Sequence, residues 1–261
     1  MIDGAETTGS EPVGPAGLLT GRRFLVTGGA RGIGAAVVGL LAAHGAHGAV
    51  IDLGEPETAG PWPARAADVA DERAMREAVA DLVAHDGPFD GLVAAAGVVP
   101  SWHSPEDIDL DDFDRVQRVN TRGIVVSLKT VVPGMPDGST VVAIGSLNSW
   151  KGDAHLLSYV ASKHAVLGIV RSAALALGSR GIRVNAVAPG PVATEALLSR
   201  IDSRVDATGR TRDEALASSA SATALQRLAT PDDVAGAVLF LSSPLAAAIT
   251  GHLLPVDGGL S

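Results

Sequence analysis

From residue 22 onward, short unbroken apolar runs alternate with longer stretches whose apolar positions recur at helical spacing. RFLVTG predicts a buried strand at 23–27, and GAVIDL a second at 48–53. FDGLVAAAG, STVVAIGS and GIRVNAVAPG supply three more, and GHLLPVDGG a last one near the C-terminus. Between them the pattern predicts helices at 32–45, 71–87, about 109–132, about 156–179 and about 231–242. Gly45 and Gly87 close the first two helices, and Asp71 opens the second. The strands do not alternate apolar with polar residues, which marks strands covered on both faces. Strand–helix alternation implies right-handed crossovers and therefore an α/β fold: a Rossmann-type doubly wound parallel β-sheet in three α/β/α layers.

Residues 21–261 are expected to form one domain, preceded by a flexible Gly/Pro/Ser/Thr-rich tail over 1–20. The irregular region at about 190–230 is too long for a plain connection and reads as a loop over the substrate. With 46% hydrophobic residues but only 3% aromatics, the core must be built from alanine, valine and leucine. The net charge of −9 opposes phosphate backbones and anionic lipid, so neither nucleic acid nor membrane is an expected partner. The chain has no cysteine, which removes disulfides and thiolate zinc sites, and no metal is expected. No uninterrupted apolar run is long enough to span a bilayer, and the start lacks the regions of a secretion signal; the cytoplasm is the expected compartment.

The first strand runs into Thr27-Gly28-Gly29-Ala30-Arg31-Gly32-Ile33-Gly34. Glycines between a strand and a helix let the chain turn sharply and let a pyrophosphate approach the main chain, at the positive end of the helix dipole. Asp52 ends the second strand, where a carboxylate accepts ribose hydroxyls and repels a 2′-phosphate. That favours NAD over NADP, although Arg31 in the turn offers a partner for a 2′-phosphate. Asp68 is placed at the adenine edge, as a helix N-cap, or as both.

Tyr159, the chain's single tyrosine, precedes Lys163 by four positions, so on a helix the two share a face. An ammonium beside a phenol favours the phenolate and prepares it for proton transfer; the same spacing also arises as an ordinary packing contact. Ser146 ends the fourth strand, at the carboxyl edge where open α/β sheets bind ligands, and is either a turn former or a donor to a reacting oxygen. Asn120 is a mid-helix amide, either inward-facing or helix-bending.

Taken together, TGGARGIG, Asp52, Asp68, Asn120, Ser146, Tyr159 with Lys163, Asn185 in VNAVAPG, Pro189-Gly190, Thr194 and VDGG at 256–259 resemble the short-chain dehydrogenase/reductase family, from about residue 20 to 261. The resemblance implies Tyr159 as catalytic acid/base, Lys163 as its tuning group and ribose anchor, Ser146 orienting the substrate oxygen, and Asn120 holding a relay water. It also implies cofactor contacts from Gly28, Arg31, Gly32, Ile33, Gly34, Asp52, Leu53, Asp68, Val69, Ala94, Ala96, Gly97, Tyr159, Lys163, Pro189, Gly190, Val192 and Thr194. Where the family usually carries an amide after the third strand, this chain has Ala94-Ala95-Ala96-Gly97, which removes a brace at the sheet centre.

The expected reaction interconverts a secondary alcohol and a ketone with NAD, on a mainly apolar small molecule. Ser146, Asn148, Trp150, His155, Tyr159 and Leu197 are the expected substrate contacts; Trp102, His103, Leu147, Leu156 and Leu198 are further candidate walls. One alternative is an NADPH-dependent 3-oxoacyl-thioester reductase, docking an acidic carrier through Arg115, Arg118, Arg122 and Lys129 on one helix face. Another is an idle nucleotide-binding scaffold, against which the complete Ser/Tyr/Lys set argues. Family resemblance implies a homo-oligomer, expected to be a tetramer.

Overall fold

The computed structural model describes residues 17–54, 60–194, 197–198 and 211–260. Seven strands form a wholly parallel sheet: β1 (Arg23–Thr27), β2 (His47–Asp52), β3 (Ala64–Ala66), β4 (Gly91–Ala94), β5 (Thr140–Ile144), β6 (Arg183–Pro189) and β7 (Leu253–Val256). Their spatial order is β3-β2-β1-β4-β5-β6-β7. The chain winds outward from β1 to β3, then returns to β4 beside β1 and winds the other way. A crevice opens at that switch, beyond the carboxyl ends of the strands.

The helices are α1 (Gly32–Ala43), α2 (Glu72–Asp86), α3 (Leu110–Gln117), α4 (Gly123–Val131), α5 (Leu157–Leu177), α6 (Arg212–Ser221) and α7 (Pro231–Ser242). One face of the sheet carries α2, α4 and α5, whose Met75, Leu82, Ile124, Val166 and Val170 meet Leu25, Leu92, Val141 and Ala143. The other carries α1 and α7, whose Val37, Leu41, Val234 and Val238 meet Phe24, Val26, Val142 and Ile144. Successive residues of one strand thus enter opposite cores, which is why the strand runs are continuously apolar.

Four expectations are corrected. The expected helix at 109–132 is two helices joined by a π turn over Arg118–Arg122. There the Asn120 amide bonds the Val98 backbone in both directions, Nδ2 donating to the Val98 carbonyl and Oδ1 accepting from its N–H, both at 2.8 Å. Such π turns within α-helices are rare and are frequent at functional sites. The edge strand β3 was not predicted, being short and centred on an arginine that points outward. Within 190–230, α6 is a helix with a Thr211–Glu214 capping box; its serines give it no apolar stripe to read. The expected flexible tail over 1–20 does not hold at 17–20, where Leu19 is buried and its N–H bonds the His44 carbonyl; residues 1–16 lie outside the described residues.

The stretch Leu157–Arg180, containing α5, is apolar and long enough by composition to cross a bilayer. Here it lies along the sheet, with Val166, Val170 and Ala174 in the core. Its outer side stays open, and Leu175 is 87% exposed.

Candidate functional site

The glycine turn joins β1 to α1. Gly28 has φ +69, and a Cβ there would lie 2.6 Å from the Ala96 backbone. A Cβ on Gly34 would meet the Gly28 carbonyl oxygen at 2.0 Å. Only glycine permits this packing of turn, helix and β4. The α1 N-terminus has no side-chain cap and no acidic residue in its first turn, so its leading N–H groups suit an anion. Ile33 faces the central cavity, Arg31 is exposed and Gly32 has open space around it.

Asp52 closes β2 and braces this turn: Oδ2 accepts from the Ala30 N–H at 3.0 Å and Oδ1 from the Leu53 N–H at 2.8 Å. Leu53 itself is 75% exposed beside it. An uncapped helix N-terminus, a glycine cradle and a carboxylate at the next strand end fit a dinucleotide with free ribose hydroxyls. Asp68 takes the Ala70 N–H on one oxygen and pairs with Arg118 at 2.6 Å through the other. It is not the α2 cap; Asp71 is, accepting from the N–H groups of Arg73 and Ala74. Val69 is buried next to the Gly123 backbone. Ala94 is buried in β4, and Ala95, which faces the cavity, donates its N–H to the Thr27 carbonyl at 3.1 Å. At the sheet centre that backbone bond joins β4 to β1 where the family's amide is lacking.

The carboxyl ends of β4, β5 and β6 open into a cavity of about 530 Å³, a size suited to a small molecule. Gly97, Ser146, Tyr159, Lys163, Pro189, Gly190, Val192 and Thr194 line it. Ser146 Oγ accepts from the Asn148 N–H at 3.1 Å, which leaves its single hydrogen to donate elsewhere. Tyr159 and Lys163 rise from successive turns of α5, with the ammonium 5.5 Å from the phenol ring centroid. Lys163 Nζ donates to the Ile144 carbonyl at 2.8 Å. Full burial pushes its pKa down to about 8, because desolvation disfavours the charged form.

Asn120 is wholly buried and does not reach the cavity wall. Besides Val98 it donates to Ser162 Oγ at 3.1 Å, and its Oδ1 would lie 3.3 Å from a Cβ on Gly97. Thr194 Oγ1 accepts from the Leu197 N–H at 3.3 Å.

On the substrate side, Asn148 and Leu197 line the cavity with Trp102, Leu147 and Leu156. Trp150 and His155 do not. Trp150 projects outward, 39% exposed, and His155 is exposed with its ring stacked on Trp102 at 6.0 Å. His103 and His155 border a separate shallow crevice. Trp150 closes the short helical turn Leu147–Ser149 and His155 lies in a turn at 154–155, placements that spacing does not reveal. Sequence reasoning missed Asp153 and, from α6, Ala215, Ser218 and Ser219. In the Arg115–Lys129 row, Arg115 pairs with Asp112, Arg118 with Asp68 and Lys129 with Glu72, while Arg122 bonds the Ala70 carbonyl.

A parallel Rossmann-type sheet with this cleft defines a nucleotide-dependent class of enzyme fold. A family model described as enoyl-(acyl carrier protein) reductase matches residues 28–261. The chain is 36% identical over 256 residues to the (+)-cis,cis-nepetalactol synthase of Nepeta racemosa, covering 93% of this chain and 92% of that protein. It is 37% identical over 256 residues to the mitochondrial (−)-isopiperitenol/(−)-carveol dehydrogenase of Mentha piperita, covering 93% and 94%. The ligand-free aldohexose dehydrogenase of Thermoplasma acidophilum superposes with a TM-score of 0.87 at 28% identity, covering 93% and 94%. The protein belongs to the short-chain dehydrogenase/reductase family, oxidoreductases that use NAD(P)(H).

Proposed function

We propose that this protein is an NAD-dependent oxidoreductase that interconverts a secondary alcohol and a ketone. The observation that carries the reading is the convergence of Ser146, Tyr159 and Lys163 on one cavity beside the glycine turn. The bound nicotinamide supplies hydride transfer at its ring. Tyr159 holds the proton that passes to or from the substrate oxygen, and Ser146, its oxygen already engaged, donates a hydrogen bond to that same atom. Lys163 favours the phenolate while its ammonium is charged. Asn120 positions the loop at Val98 behind the site.

Asp52 supports NAD over NADP, since its carboxylate stands at the end of β2 where a 2′-phosphate would meet like charge. A small free substrate is favoured over a carrier-bound one, because the basic row a carrier would need is neutralised within the chain. The exposed apolar side of α5, with Leu157 and Leu175, supports a homo-oligomer packed through this helix, and the tetramer expected from the resemblance is part of this reading.

The test is cofactor reduction measured with a panel of secondary alcohols, using NAD and NADP in parallel. Because one relative carries the name of a synthase, the assay reads the nicotinamide itself. Product formation without cofactor turnover across the panel would overturn the redox reading, and a preference for NADP would overturn the cofactor assignment.

A further inference from the structure

Asp153 places a carboxylate in the wall of the cavity that also holds Ser146 and Tyr159. Its Oδ1 accepts the His155 N–H at 2.9 Å, which holds the carboxylate in the turn that leads into α5. Among the described residues no cation pairs with it. The chain has three lysines, and each is committed elsewhere: Lys129 to Glu72, Lys151 to the Leu260 carbonyl at 3.2 Å, and Lys163 to the Ile144 carbonyl. The surrounding walls are mostly apolar, from Trp102, Val99, Leu147, Leu156 and Leu197.

Asp153 is partly exposed, and among the described residues only its Oδ1 has a donor; a substrate that covers Oδ2 displaces its water, and an acceptor covered without a donor is costly. An entirely apolar alcohol would incur that cost. A substrate bearing a second donor would not, and the gain would be larger than for a neutral acceptor because the bond is charge-assisted. Asn148 and the α6 hydroxyls of Ser218 and Ser219 line the same cavity and extend its polar character.

We propose that Asp153 determines specificity by binding a hydrogen-bond donor, a hydroxyl or an ammonium, carried by the substrate away from its reacting carbinol carbon. This rests on the alcohol–ketone reading above and narrows it: the preferred substrate is a diol or amino alcohol, and substrates with a carboxylate near that position are repelled.

The experiment compares cyclohexanol with the cyclohexanediol positional isomers and the matching aminocyclohexanols, on wild type, Asp153→Leu and Asp153→Asn. kcat/KM is measured, together with Kd by calorimetry on cofactor-saturated protein. In the wild type, the best difunctional alcohol should exceed cyclohexanol in kcat/KM by at least about tenfold. Asp153→Leu should bring that ratio close to one. Asp153→Asn should retain part of a hydroxyl preference and lose an ammonium preference, which distinguishes the two donors. A wild-type ratio within about twofold of one, or a ratio that survives in Asp153→Leu, overturns the proposal. If no alcohol turns over but the difunctional ones still bind more tightly in an Asp153-dependent way, the redox reading fails and the assignment of Asp153 stands. Equal Kd values defeat it whatever the turnover.

Discussion

Lys163 approaches Tyr159 from beneath: its ammonium lies 5.5 Å from the phenol ring centroid while its hydrogen bond goes to the Ile144 carbonyl. Helical spacing sets them side by side, but β5 anchors the lysine. The ammonium therefore acts on the phenol through space, from a buried position that lowers its own pKa.

Tyr159→Phe keeps the ring and removes the proton carrier. The expected loss is about 10²–10⁴-fold in kcat/KM, with cofactor Kd little changed. Steady-state kinetics alongside cofactor titration check this, and turnover within a few-fold of wild type would remove Tyr159 from the chemistry.

Lys163 also sets a pH dependence of stability. Its folded-state pKa is about 8, below the ordinary lysine value of 10.5 that applies to the unfolded chain. Between those values the unfolded chain binds a proton that the folded chain does not, so stability rises with pH across that window. Below about pH 8 both states are protonated and the full desolvation penalty remains. Lys163→Met has no such penalty. Its Tm advantage over wild type at pH 7 should therefore shrink as pH rises toward 10, and thermal unfolding of both proteins across that series reads it directly.

Asp52→Ala removes like charge from the end of β2 and the acceptor of the Ala30 N–H. Two effects should appear together: the NADP-to-NAD ratio of kcat/KM rises by about tenfold or more, and Tm falls by a few degrees as the turn loses a brace. An unchanged cofactor ratio would mean that the ribose lies elsewhere.

Gly34→Ala drives a methyl group into the Gly28 carbonyl, 2.0 Å from an ideal Cβ. Overpacking of this kind costs about 1–3 kcal/mol, so Tm should drop by several degrees and cofactor affinity should fall with it. Gly39→Ala, in the same helix with nothing within 4 Å of its Cβ, is the control and should be neutral or stabilising.

Leu175→Glu places a charge on the exposed face of α5. If copies of the chain pack through this helix, light scattering after size exclusion should give a smaller species for the variant than for the wild type. The same mass for both would remove this face from any assembly.

Sequence alone determined what is local or periodic. Unbroken apolar runs announced strands covered on both faces, helical spacing paired Tyr159 with Lys163, and strand ends placed Thr27, Asp52 and Ser146 at one sheet edge. Backbone geometry enforces each of these within a few residues. Tertiary structure decided what depends on contacts across the chain. Asn120 and Val98, 22 positions apart, meet at the π turn; Arg118 and Asp68, 50 apart, form an ion pair. Trp150 was an expected substrate contact and Trp102 a further candidate wall, yet Trp150 projects outward and Trp102 lines the cavity. Asp153 stayed hidden for the same reason. Which loop side chains line a cavity depends on contacts between distant segments, and those belong to the packed chain.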